Sequence, residues 1–202
     1  MPSPPPTALH RTPSGSIAAG YFERLYRDEP DPWEYGTSPY EARKYAATVA
    51  ALPRPRYSAA VELGCSIGVL TRALAARADD LLGVDVSPEA LAAARERCAG
   101  LPHVRFERRV LPAEMPAGPF GLAVLSEVGY YLSAPDLDRL AGALARAVEP
   151  GGHLALVHWR GETDYPLTAD AVHERFLGDG LWRPVHAAPT ADYRLDVLAR
   201  RG

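Results

Sequence analysis

The chain has 202 residues, 47% hydrophobic and 23% charged, with a formal net charge of −3. That composition supplies one hydrophobic core and excludes a wholly disordered chain. It lacks the basic excess of a nucleic-acid binder and any apolar run of about 18 residues, so neither a nucleic-acid partner nor a membrane span is expected.

Residues 1–15 are rich in Pro and Ser and show no periodicity, so they read as a flexible tail. Residues 16–58 read as a helical extension. Ser16 is placed to cap a first helix carrying Tyr21, Phe22, Leu25 and Tyr26, which the Pro30-Asp31-Pro32 run breaks. A second helix is expected over 38–52, with Pro39 in its first turn. From residue 59 to 202 strands and helices alternate. Strands are expected at 59–63, 81–86, 104–108, 122–126 and 153–159, and helices at 69–77, 87–98, 136–148 and 169–177. Pro150-Gly151-Gly152 reads as the stop of the third of these helices, and 184–188 with 193–199 as a closing antiparallel pair. Strand-helix alternation implies parallel pairing, hence a doubly wound, mostly parallel α/β sheet.

The two cysteines, Cys65 and Cys98, fit neither a zinc spacing nor a C-x-x-C redox pair. No metal site is expected, and reduced thiols and a cytoplasmic location are. No leader resembling a secretory signal is seen at the N-terminus. Lys44 is the only lysine, so any chemistry that needs one must use it.

The segment Glu62-Leu63-Gly64-Cys65-Ser66-Ile67-Gly68 joins the first strand to its helix. Small residues there let a ligand approach the backbone at the carboxyl end of a strand. Asp85 ends the second strand, where a carboxylate accepts from ribose hydroxyls. Order and spacing together point to a nucleoside site. Three competing readings meet obstacles. A dinucleotide fingerprint requires G-x-G-x-x-G, whereas here branched Val69 follows Gly68, and Lys44 lies outside the core, which speaks against the Tyr-x-x-x-Lys pair of a dehydrogenase. G-x-S-x-G also spells a hydrolase nucleophile elbow, with His158 and His173 downstream, but an elbow follows several strands and this loop follows the first. A non-catalytic binding protein would be suggested by loss of Glu127 and His158, and both are present.

The series ELGCSIG, LLGVDVS, FGLAVLSEVGYYL and PGGHLALVHW resembles class I S-adenosylmethionine (SAM) methyltransferases over about residues 20–200. DPWEYGTSPYEARKY and VHWRGETDYPLTADAVH narrow the resemblance to the nodulation protein S family, which methylates the free amine of a chitooligosaccharide. The resemblance implies a Rossmann-like core at 59–202, with 16–58 as a lid. It implies SAM as methyl donor, S-adenosylhomocysteine (SAH) as product, and a small-molecule or oligosaccharide acceptor. Gly64, Cys65, Ser66 and Gly68, with Glu62, would line the methionine part. Asp85 would hold the ribose, and Val86, Arg109 and Val110 would border the adenine, with Ser126 at the end of the fourth strand. Ser66 replaces the usual middle glycine, and Arg109 stands where many relatives carry an acid.

Glu127 and His158 end the fourth and fifth strands and are the candidates for handling the acceptor proton. Tyr130, Tyr131, Trp159, Arg160, Asp164 and His173 cluster after them as acceptor contacts, though each aromatic also suits a core position. In the extension, Trp33, Tyr40 and Arg43 read as lid contacts to SAM, with Arg43 or Lys44 facing its carboxylate.

Overall fold

A computed structural model describes residues 10–202. Residues 1–9 of the expected tail lie outside the described residues. In chain order the elements are α1 (Ala19–Asp28), α2 (Pro39–Ala50), β1 (Tyr57–Leu63), α3 (Val69–Leu74), β2 (Ala78–Asp85), α4 (Pro88–Arg97) and β3 (Val104–Arg108), then β4 (Phe120–Ser126), α5 (Ala134–Ala147), β5 (Val148–Trp159), α6 (Ala169–Leu177), β6 (Trp182–Pro189) and β7 (Tyr193–Arg200).

The described residues form a seven-stranded sheet in the order β3-β2-β1-β4-β5-β7-β6. β1 pairs in parallel with β2 on one side and β4 on the other, while β7 runs antiparallel to both β5 and β6. The chain first winds outward from β1 to β3, then returns to place β4 beside β1. That reversal is the switch point of an open α/β sheet, where ligands settle at the strands' carboxyl ends. The register brings those ends together, with Leu63 opposite both Val84 and Leu125, and Ser126 opposite Val157.

Local chemistry explains most of the elements. All seven residues of β4 are buried, as a central parallel strand covered on both faces requires. α5 buries Leu137, Leu140, Ala141 and Leu144, one stripe at helical spacing. Ser38, Ser87 and Ser133 each accept a backbone N–H at a helix start, with a proline in the first turn of all three helices.

Three expectations give way. Ser16 is no helix cap. α1 starts at Ala19, and the Ser16 hydroxyl donates to Asp136 at 2.5 Å while accepting from Ser133 N–H at 2.8 Å. Residues 10–15 depart from a flexible tail: Arg11 bridges Ile17, and Ser14 donates to the same Asp136 oxygen. Pro150-Gly151-Gly152 does not merely stop a helix but lies inside β5. There the register slips between Phe120 and Leu122, and Gly151 takes φ +76°. A bulge of that kind absorbs the extra residues without breaking the strand.

Candidate active site

The β1–α3 loop owes its shape to left-handed backbone at Gly64 (φ +78°), Ser66 (+49°) and Gly68 (+77°). A Cβ on Gly64 would sit 2.1 Å from Val128 Cγ2, and one on Gly68 would sit 2.9 Å from the Ala94 Cα. The glycines thus permit both the turn and its close packing. Gly64 and Cys65 N–H donate to the Val84 carbonyl at 2.8 and 2.9 Å, Gly68 N–H donates to Cys65, and Ser66 N–H donates to Asp85 Oδ2 at 2.9 Å. With these donors satisfied inside the protein, the loop is not a phosphate cradle, which needs them free.

Asp85 is 8% exposed at the tip of β2. Its other oxygen accepts from Ser87 N–H at 2.9 Å. Burial raises its pKa, with the Ser87 and Ser66 N–H groups pulling it back. Tyr26, from α1, donates to Ser66 Oγ at 2.5 Å and ties the extension to the loop. Beneath the loop, Glu62 is 2% exposed and accepts from Thr71 Oγ1 at 2.5 Å. Burial pushes its carboxyl up to about 8, so Glu62 is mostly protonated at neutral pH.

At the end of β4, Glu127 adopts φ +58°. Its Oε1 accepts from Lys44 Nζ at 2.7 Å, and its Oε2 accepts from Trp159 N–H at 3.1 Å and from the Tyr130 hydroxyl. Lys44 is 1% exposed and also bonds Glu41 at 2.8 Å. Burial works against its charge, but Glu127 and Glu41 outweigh burial and raise its pKa. The sole lysine therefore holds two carboxylates and is not directed to a cofactor carboxylate as expected.

His158 does not serve as the expected proton acceptor. It is fully buried. Its Nε2 accepts from Gly129 N–H at 3.0 Å, and its Nδ1 meets His173 Nε2 at 3.0 Å. His173, expected to bind substrate, is equally buried, with Nδ1 at 2.7 Å from Asp196. Burial lowers the pKa of both rings, so both are neutral near pH 7. Neither ring lines the cleft.

The cleft at the switch point has about 970 Å³ of empty space, open solvent at its mouth included. Of the expected cofactor residues it gathers Trp33, Glu62, Gly64, Cys65, Ser66, Asp85, Val86, Arg109, Val110 and Ser126, together with Glu127 and Tyr131. Arg109 also forms an ion pair with Glu107 at 2.5 Å.

The others lie elsewhere. Gly68 packs behind the loop on Ala94. Tyr40 turns its ring to Lys44 and Tyr193. Arg43 is exposed on α2. Tyr130 is buried against Glu127. Trp159 reaches Glu127 only through its backbone. Arg160 bonds Asp170 and Thr190, and Asp164 offers its carbonyl to Arg11.

Sequence reasoning missed Ile17, Phe22, Tyr26, Tyr45, Val128 and Leu132 as wall residues. Phe22 and Tyr26, one turn apart, did signal an apolar helix face, but not that this face borders a ligand cleft rather than solid core.

The strand order with a reversed β7, and a cleft that joins the β1 loop to the acid ending β2, define a class I methyltransferase fold with a Rossmann-like core. The family model for nodulation protein S (NodS) matches residues 22–151. The chain belongs to the nodulation protein S family. It is similar to nodulation protein S of Rhizobium tropici, 33% identical over 126 residues, covering 61% of this chain and 53% of that protein. The match to Bradyrhizobium diazoefficiens nodulation protein S covers 49% of that protein, so the chain spans about half the length of these curated relatives. Among solved structures it is 42% identical to a candidate methyltransferase from Pseudomonas syringae (TM-score 0.72, covering 80% of this chain and 99% of that one). It shares its fold with the N-methyltransferase NodS of Bradyrhizobium japonicum WM9, solved in complex with SAH (TM-score 0.81, 23% identity, covering 91% of this chain and 98% of that one).

Proposed function

We propose that this chain is a SAM-dependent methyltransferase acting on the amine of an amino sugar or a related small molecule. The observation that carries the reading is one cleft holding Asp85 at the end of β2 and Glu127 at the end of β4, beside a loop whose donors are already satisfied. The cleft residues fit the methyl donor. Gly64, Cys65 and Ser66 leave room against the backbone, Asp85 takes ribose hydroxyls, and Val86 and Val110 border the purine. Glu62 takes the cationic end of the amino acid. The donor supplies a methyl group already activated as a sulfonium, so positioning the acceptor is the protein's main task. The extension over 16–58 serves as the lid, because Trp33, Tyr35 and Tyr45 complete the cleft wall. The SAH complex of the B. japonicum relative supports the cofactor assignment.

Glu127 already accepts from three protein donors and His158 is sealed in the core. Neither side chain is free to deprotonate an ammonium, so the acceptor must arrive as neutral amine. Turnover is expected to rise with pH through a midpoint that follows each acceptor's own pKa. Glucosamine, partially deacetylated chitobiose and a more basic alkylamine, assayed from pH 6 to 10, provide the comparison. A single midpoint shared by all acceptors would assign the proton to an enzyme group. Transfer to hydroxyl or carboxyl acceptors alone would replace the amine reading and leave the SAM site standing.

Calorimetry with SAH and NAD tests the cofactor. SAH should bind and NAD should not. Asp85→Ala should weaken SAH by roughly ten- to a hundred-fold, the value of one or two hydrogen bonds to a charged acceptor. Unchanged affinity would remove Asp85 from the site. Glu62 adds a pH signature. A cation placed beside it lowers its pKa from about 8, so binding at pH 7 must release a proton and affinity must rise as pH climbs towards 8. Titrations in phosphate and Tris buffers should differ by that proton, and Glu62→Gln should abolish the difference.

A further inference from the structure

Four elements are linked by a single file of hydrogen bonds: the Gly129 N–H in the turn after β4, His158 on β5, His173 on α6 and Asp196 on β7. The spacings are 3.0, 3.0 and 2.7 Å, and both rings are fully buried. The chemistry fixes every proton. Gly129 N–H can only donate, so His158 Nε2 must present a lone pair, and the proton of the neutral ring sits on Nδ1. That proton points at His173 Nε2, which must accept, so the His173 proton also sits on Nδ1 and faces the Asp196 carboxylate. Asp196 in turn accepts from Arg194 Nε at 2.7 Å, and Arg194 is braced by Asp170 and Glu174.

The turn at the inner end of this file is part of the cleft wall. It carries Glu127 in its left-handed conformation, Val128 against Gly64, and Tyr131. It leaves no slack, because a Cβ on Gly129 would lie 2.5 Å from Val172 Cγ1. With the other His158 tautomer, N–H would face N–H and the turn would be pushed from its seat.

We infer that Asp196, His173 and His158 form a tautomer-setting relay that positions the 127–131 turn, and with it the acceptor wall of the cleft. The kinetic consequence rests on the methyltransferase reading. The relay itself does not. These three are positioning residues, since none touches the cleft.

The test uses the full chain with ring nitrogens labelled with ¹⁵N. Wild type should show His158 and His173 both as Nδ1–H tautomers. His173→Leu removes the acceptor for His158. The buried Nδ1–H is then left without an acceptor, at a cost that competes with the Gly129 bond; the His158 ring should lose its single tautomer, and the Gly129 amide should exchange with solvent at least about tenfold faster. Methyl transfer to partially deacetylated chitobiose at saturating SAM should fall by roughly 10–100-fold, the range for losing the hydrogen-bond partner that orients a metal-bound histidine. His173→Gln places an amide oxygen near the Nε2 position and should restore the His158 tautomer and most of the turnover. A generic packing defect would not distinguish Leu from Gln in this way.

If the leucine variant does not fold, acidifying the wild type serves instead. Protonation of His173 turns its Nε2 from acceptor to donor, so the Gly129 amide must lose protection with the same midpoint. The groups around the file are Lys44 and Tyr130 facing His158, and Asp196, Arg194 and Asp170 facing His173. An unchanged His158 tautomer in His173→Leu, or Gly129 exchange that ignores the His173 titration, would overturn the relay. A wild type that methylates none of these amines would count against the acceptor reading alone, because the ring and amide signals need no acceptor.

Discussion

Lys44→Met should lower stability by about 3–5 kcal/mol at pH 7.5, because it leaves two buried carboxylates without their cation. Glu41 and Glu127 are 8% and 7% exposed, and Lys44 Nζ lies within 2.8 Å of both. The size of the loss should depend on pH in a fixed sense. Burial already raises the pKa of Glu41, and Lys44 opposes that rise, so the variant raises it further. An acid whose folded-state pKa exceeds its unfolded one destabilises the fold as pH climbs from the unfolded value through the folded one. The deficit of Lys44→Met should therefore shrink when pH falls from 7.5 to 5.5. Urea unfolding at the two pH values measures it. Adding Glu41→Gln should recover part of the loss. A deficit equal at both pH values would trace the effect to lost packing of the lysine stem.

Gly64→Ala is the second large effect, and it has two separable parts. Holding an L-residue at φ +78° costs about 1–2 kcal/mol. The new methyl would also overlap Val128 Cγ2 at 2.1 Å, and overpacking of that kind costs about 1–3 kcal/mol. A loss of roughly 2–5 kcal/mol is expected, with weakened SAH binding, because the loop can relieve the overlap only by moving the backbone that lines the cleft. Pairing it with Val128→Ala should be non-additive by about 1 kcal/mol or more, returning the overlap but not the backbone term. Strict additivity in chemical denaturation would show that the loop and the post-β4 turn do not press on each other.

Features set by short-range forces can be read from the sequence, and those set by long-range pairing cannot. Helix starts were legible because a cap is a local event: Ser38-Pro39 and Ser87-Pro88 carry both the hydroxyl and the fixed φ within two residues. The parallel sheet was legible because a strand buried on both faces needs an apolar run, as at 122–126. That Gly64, Ser66 and Asp85 meet in one cleft was legible because they stand at strand ends whose position follows from strand order.

The surroundings of the β4 and β5 ends were not. Glu127 meets Lys44 from 83 residues away, and nothing near either residue announces the other. Ser16 looked like a helix cap because its partner, Asp136, lies 120 residues downstream. His158 looked catalytic and His173 substrate-binding because residues at and just beyond the carboxyl ends of strands often border a cleft. α6 and β7 instead close over them; burial keeps both rings neutral, and Asp196 accepts from His173 in the core.

The sequence by itself determined the winding of the sheet, the family and the small-residue loop after β1, because short-range patterning and chain order set them. Only the tertiary structure decided which polar groups face the cleft and which serve the core, because burial and long-range pairing fix a side chain's protonation and free lone pairs.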